Sequence, residues 1–263
     1  MSADSSRASA QIVPANDPND AVSSLMPIGR ENLADRAYAE LRNGLLQGRF
    51  WPGERLKIRD VAKAMRVSET PVREAMLQLA REGGFEIIAN RSIRVVRLSL
   101  SQYLELREIR LNLEGLAGEV ATAKIRPDEI DVLEKLQRRL LDAQKREDWP
   151  DAIRAGCEFH FRLYGTSGMP ELVKLLEQIW LRTAPLLNLL YHAGPDPHPD
   201  KHFHFALIDA LRAKDVVAVR QALKDDLVIG GARLVKLMED IESGRAVVNR
   251  LARGDGVALP PAE

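Results

Sequence analysis

All five histidines of this 263-residue chain, His160, His192, His198, His202 and His204, fall in its C-terminal half. Neutral imidazole is a common ligand for borderline divalent metals, so the clustering raises a metal site first. Two histidines and one carboxylate can hold zinc or a similar ion and leave positions open to a ligand. Arginine offers a second chemistry, because its fork binds two acceptors on a carboxylate, a phosphate or a guanine edge. Arg59 and Arg73 lie near the hydroxyl residues Ser68 and Thr70, whereas Arg110 and Arg182 share the half that carries the histidines. A metal with an open position could support hydrolysis, but no nucleophile or general-base motif accompanies the histidines. An enzyme is therefore the weaker reading. The single cysteine, Cys157, builds no intrachain disulfide framework and fits a reducing cytoplasm.

The charge distribution separates these chemistries along the chain. Lys and Arg balance Asp and Glu overall, yet residues 31–99 hold 13 basic against 9 acidic side chains, and the remainder holds 25 against 29. A basic early half and an acidic later half are expected if one domain meets phosphates and the other does not. Apolar residues at 45% and charged residues at 29% are ordinary for a globular chain with room for two domains. The first 30 residues carry no uninterrupted apolar core of a signal peptide, and no run of 18 apolar residues follows, so neither export nor membrane insertion is expected.

Elements must hold these side chains in place. Residues 1–30, rich in Ser, Ala, Asn, Asp and Pro, predict a disordered arm. Leu33, Ala37, Leu41 and Leu45 recur at four-residue steps and predict a helix that stops at the Gly48 to Gly53 punctuation. A short helix is predicted over 58–65. Another follows Ser68, a candidate cap, with Glu69 and Pro71 in its first turn and Val72, Met76, Leu79 and Ala80 on its inner face. Residues 85–88 and 92–98 predict a small hairpin. From residue 100 onward the period is helical. Leu106, Ile109, Leu113, Leu116 and Val120 form one predicted buried stripe, and Ile130, Leu133, Leu136 and Leu140 form the next. Further helical stretches are expected over about 150–166, 170–191, 200–213 and 215–240, with Pro185 kinking the second. The fold class is mainly α: an N-terminal winged helix-turn-helix over 31–99, then an antiparallel all-α bundle over 100–240, with a loose tail over 241–263.

The segment PGERLKIRDVA (52–62), followed by VSETPVREA (67–75) and LAREG (79–83), resembles the signature of the GntR family of transcriptional regulators. LELREIRLNLEGLAGEVA (104–121) resembles the opening helix of the FCD effector domain, the FadR-like branch. The resemblance implies a sequence-specific regulator, most simply a repressor. It would be a homodimer on double-stranded operator DNA, answering to a small metabolite such as an organic acid. Ser68, Thr70 and Arg73 at the start of the recognition helix would face DNA, with Arg59 on a phosphate or base edge. Glu69 stands where the family usually has Arg, so a changed operator or weaker binding is implied. The wing, with Arg91 and Arg94, lacks the usual tip glycine.

The FCD resemblance also implies a divalent metal held by an Asp and three His. Here His160 and His204 match two of the histidines, Asp226 falls on the third, and Gly156 replaces the Asp. Glu158 cannot take that role, since two helical residues are about 200° apart. His160, His204 and Asp226 thus remain as candidate metal ligands, or as groups that bind the effector directly. Arg110 is the family's pocket-facing arginine by position, unless it is spent on a salt bridge to Glu114, and Arg182 is a weaker effector candidate.

Overall fold

Ala37, Leu41 and Leu45 are buried along helix α1 (Leu33–Leu46), while Leu33 at its start is 44% exposed. The structure is a computed structural model that describes residues 33–88, 92–192 and 202–246. The expected arm over 1–30, Arg91, His198 and the tail beyond 246 lie outside the described residues, as does the His192 side chain.

After α1 come strand β1 (Arg55–Lys57), helix α2 (Ile58–Met65) and helix α3 (Glu69–Arg81). Arg66 closes α2 in the left-handed conformation. The chain re-enters α3 through Ser68, whose backbone is extended at the N-cap position. The expected cap bond is not made: Ser68 accepts no side-chain hydrogen bond from the helix. Strands β2 (Phe85–Ile88) and β3 (Ser92–Val95) form the predicted hairpin, with Phe85 opposite Val95 and Glu86 opposite Arg94. The sheet has a third strand that the pattern did not reveal. Strand β1 pairs antiparallel with β3, giving the order β1-β3-β2. Three residues are too few to display an alternation of period two.

Helix α4 (Leu100–Lys124) opens on a capping box between Ser99 and Gln102. Its buried face differs from the predicted leucine stripe. Tyr103, Leu106, Arg110, Glu114, Ala117 and Ala121 point inward, whereas Ile109 and Leu116 are 41% and 38% exposed. The reason lies in two glycines. A Cβ on Gly118 would stand 2.5 Å from Leu223 Cδ1, and one on Gly115 would stand 3.3 Å from Arg220. The small residues let a neighbouring helix approach, and this turns the leucine face outward.

Helices α5 (Pro127–Lys145), α6 (Trp149–Thr166) and α7 (Pro170–Thr183) follow. A 3-10 turn at Ala184–Leu186 around Pro185 then leads into the short α8 (Leu187–His192). Helices α9 (Phe203–Ala213) and α10 (Val216–Asp225) come next. The stretch expected as one helix over 215–240 is broken by a π-helical turn, Asp226–Gly230, before α11 (Ala232–Glu242). The beginning of the expected loose tail is fixed, because Ile241 and Glu242 belong to α11 and Glu242 Oε1 accepts from the Leu100 N–H at 2.6 Å. One apolar core runs from Leu41 and Phe85 in the winged half to Leu176 and Leu223 in the bundle.

Candidate functional site

Helix α6 presents His160, α9 presents His204, and the π turn presents Asp226 to one point inside the bundle. Their ligand atoms lie within 4.8 Å of one another. His204 Nε2 stands 3.2 Å from His160 Nε2. Asp226 Oδ2 lies 3.4 Å from His160 Nε2, and its Oδ1 lies 3.5 Å from His204 Nε2. A π turn widens the helix by one residue and is common at functional sites. Here it carries Asp226.

The far side of each ring fixes its proton. His204 Nδ1 lies 2.6 Å from Gln137 Oε1, which can only accept, so Nδ1 carries the hydrogen. His160 Nδ1 lies 3.1 Å from the Tyr164 hydroxyl, which can take its N–H. Both Nε2 lone pairs then face the Asp226 carboxylate, and three acceptors with no donor between them call for a cation or a proton. Where a proton takes the place of a cation between the rings, the charged His204 and His160 hydrogen-bond Asp226 and, against the raising effect of its burial, hold the carboxyl well below the usual range. Burial and the neighbouring Glu114 push the Tyr164 hydroxyl well above its ordinary value, so it stays protonated. The donor set suits a divalent metal of the zinc class, with the outer hydrogen bonds that orient metal-bound imidazoles.

Beside this cluster, Arg110 donates from Nε to Glu114 Oε1 at 2.6 Å, and Trp180 Nε1 donates to the same oxygen at 3.0 Å. The Arg110 guanidinium lies 4.5 Å from the Trp180 ring centroid. Arg110 is thus paired with Glu114 and also lines a cavity. That cavity, about 140 Å³, is bounded at one end by Arg110, His160, His204 and Asp226. Apolar side chains such as Leu140, Ile153, Leu187 and Leu234 make up most of the rest.

Gly156 lines the cavity one turn before His160, where a Cβ would stand 3.3 Å from Leu140 Cδ1. Glu158 points away as expected and pairs with Arg139 at 3.2 Å. Arg182 needs correcting. It lies outside the cavity, packed on the turn at Gly83, where a Cβ would meet its Cδ at 3.2 Å. Its place at the end of α7 turns it towards the winged half. His202 is also outside the cluster, edge-on to Phe205.

On the winged half, Ser68 and Thr70 are exposed at the start of α3, with Arg73 half-buried one turn on. Glu69 Oε2 is 3.6 Å from Arg73 Nη2, so the unusual glutamate is the counter-ion of the recognition-helix arginine. Arg59 is exposed at the start of α2, 3.5 Å from Asp60. Arg94 is held across the hairpin by Glu86, to whose Oε2 it donates from both Nε and Nη2 at 2.9 and 2.7 Å.

Residues 33–95 match the family model for bacterial regulatory proteins of the gntR family, and residues 105–228 match the FCD domain. The chain is 31% identical to the HTH-type transcriptional regulator McbR of Escherichia coli (strain K12), over 71% of this chain and 85% of that protein. The chain belongs to the GntR family. This GntR regulator is also 26% identical to the HTH-type transcriptional repressor GlaR of the same organism, over 73% of this chain and 90% of that one. Its fold superposes on E. coli McbR/YncC with a TM-score of 0.73 at 29% identity, covering 79% of this chain and 99% of the other. It is a DNA-binding transcriptional regulator of the GntR/FCD type and not an enzyme, as its relatives and fold neighbours are regulators. No helix among the described residues is long and apolar enough to cross a membrane.

The sequence reading of this GntR regulator passed over Gln137, Tyr164 and Tyr103, and named Glu114 only as a partner for Arg110. Gln137 left a signal: a polar amide in the buried stripe of Ile130, Leu133 and Leu140 needs a partner. Glu114 and Tyr103 are buried although they lie off the predicted leucine stripe.

Proposed function

We propose that this GntR regulator is a homodimeric, cytoplasmic repressor whose hold on its operator is controlled by a small carboxylate-bearing metabolite in the bundle cavity. The observation that carries this reading is the polar end of that cavity. There Arg110 lines the cavity beside the His160, His204 and Asp226 cluster. The working division is residues 31–99 for DNA and 100–240 for effector and dimer contacts. Ser68, Glu69, Thr70 and Arg73 read base edges from the start of α3, and Arg59 takes a phosphate or base. A dimer doubles the few bases that one recognition helix reads. The exposed Ile109 and Leu116 on α4 offer an apolar face for it. The repressor sense is supported by the resemblance to GlaR.

His160, His204 and Asp226 would hold a divalent ion such as zinc, which when bound supplies open positions for a carboxylate. Arg110 would orient that carboxylate, with Gln137 and Tyr164 keeping both imidazoles in the ligating tautomer. The signal has a physical path out of the cavity. Ile153 bounds the cavity and also meets Gly48, where a Cβ would stand 2.9 Å from its methyls. Asn188, next to the cavity residue Leu187, donates from Nδ2 to the carbonyls of Gly48 at 2.8 Å and Phe50 at 3.0 Å. A ligand that favours one setting of Ile153 and Leu187 thereby favours one seat of the DNA-binding half.

The deciding experiment is footprinting of the full chain on its own upstream intergenic DNA at two salt concentrations, with and without a metabolite extract. Specific protection that the extract relieves and Arg73→Ala loses supports the reading. Protection no better than on random DNA of equal length overturns it.

A further inference from the structure

Resting on the reading of the cavity as the effector site, the chemistry of its wall narrows what the effector can be. Arg110 is only 9% exposed, and its Nε is committed to Glu114. Among the described residues no acceptor meets its two terminal nitrogens. One carboxylate, lying in the guanidinium plane, satisfies both. Arg110 is also the sole Lys or Arg lining the cavity among the described residues. Its charge is already balanced by Glu114, and Asp226 adds a further negative charge a few side chains away. A divalent ion on His160, His204 and Asp226 brings the enclosure to one net positive charge. A single carboxylate neutralises that, and a second one would leave the cavity with a net negative charge.

The remaining wall makes the second argument. Leu140, Ile153, Leu187, Leu190 and Leu234 offer no hydrogen bonds. Of the hydroxyls that also line the cavity, on Tyr103, Thr183 and Tyr191, that of Thr183 already donates to the Ile179 carbonyl and that of Tyr191 already accepts from Gln144. Most hydroxyls of a sugar acid would therefore lose their water unreplaced. The cavity, about 140 Å³ and partly open, is close in volume to an apolar cavity of about 150 Å³ that accommodates benzene.

We infer that the effector is a compact monocarboxylic acid with an apolar body about the size of a six-membered ring, its carboxylate on Arg110 and its body against the leucine wall. Polycarboxylates and polyhydroxy acids are disfavoured by the charge count and by the mostly apolar wall.

The test is isothermal titration of the full chain, zinc-loaded and metal-stripped, with benzoate, cyclohexanecarboxylate, citrate and D-gluconate. The two monoacids are expected to bind at least about tenfold tighter than citrate or gluconate in the zinc-loaded protein. Arg110→Lys should weaken them about tenfold or more, because a lysine cannot present a two-pronged donor. Ala152→Leu, which fills the cavity wall, should abolish cyclohexanecarboxylate binding. If that variant does not fold, the milder Ile153→Val should shift preference from benzoate towards 4-methylbenzoate. Citrate or gluconate binding as tightly as the monoacids, with loss in Arg110→Lys, overturns the inference and leaves the effector reading standing. Monoacid binding unchanged by Arg110→Lys and by the wall variants places the acid elsewhere and overturns both. Binding by none of the four overturns the inference alone, the effector reading being decided by the footprinting experiment.

Discussion

His160 and His204 turn their Nε2 atoms towards each other at 3.2 Å, with the Asp226 carboxylate closing the triangle. Their Nδ1 protons are committed elsewhere, so the three facing groups repel unless a positive charge sits among them. One zinc ion per chain is expected to bind and to raise the thermal midpoint, since a ligand that binds only the folded state stabilises it by mass action. Metal analysis after dialysis checks the stoichiometry, and His204→Ala should abolish it. Gln137→Leu, which frees the His204 ring without removing a ligand, should weaken zinc roughly 10- to 100-fold in a chelator competition.

Glu69 and Arg73 make the next case. The 3.6 Å pair is partly exposed and is worth only about 0.2–1 kcal/mol, so DNA phosphates or bases can displace it. Glu69→Gln should tighten binding to non-specific DNA severalfold and steepen its salt dependence, because a negative charge leaves the DNA face. Arg73→Ala should cost about 1–3 kcal/mol on the specific site. Fluorescence anisotropy across a salt series separates the two effects.

Asn188 ties the bundle to the winged half through one amide nitrogen that meets the carbonyls of Gly48, Phe50 and Pro185. Asn188→Ala leaves those buried acceptors without their donor and should destabilise the chain by about 1–3 kcal/mol in urea unfolding. Gly48→Ala should also destabilise it, since Gly48 has φ of 64° and its Cβ would meet Ile153.

Asp151 carries the pH dependence. The Arg139 and Arg154 hydrogen bonds lower its pKa from 3.8 to about 2. A depressed carboxyl contributes stability above its unfolded value and loses it as pH falls through the folded one. Arg139 and Arg154 are 41% and 42% exposed, so the contribution is discounted to about 1 kcal/mol. Asp151→Asn should be less stable by that amount at pH 7, and the gap should close between about pH 4 and pH 2. A gap that stays constant over that range would show that the deficit comes from hydrogen-bond geometry that asparagine does not reproduce and not from the charge of Asp151.

Much of this was readable in the sequence. The winged half is legible because its helices are short, punctuated by Gly53, Ser68 and Pro71, and carried by a family signature. The cluster of His160, His204 and Asp226 was found by matching positions, and the geometry brings all three together. What stayed hidden depends on partners far away in the chain. The burial of Arg110 and Glu114 in place of Ile109 and Leu116 was set by Gly115 and Gly118, which yield to α10. Hydropathy along one helix carries no record of how near its neighbour comes. Arg182 was misplaced for a similar reason: an arginine near a tryptophan in sequence can point to the other side of its helix. Ser68 occupies the N-cap position without making the cap bond, a detail that residue type does not determine.

The contact of Ile153 with Gly48 also bears on how such a protein can change. One side chain bounds the room available to a ligand and sets the seat of the segment leading to the DNA-reading helices. On the proposed reading, a substitution that retunes the cavity at this position should be felt at the operator, and one at residue 48 in the cavity. Positions 48, 153 and 188 should drift together as related regulators acquire new signals. A DNA-reading half grafted onto another bundle would answer to its ligand only if these three residues travelled as a set.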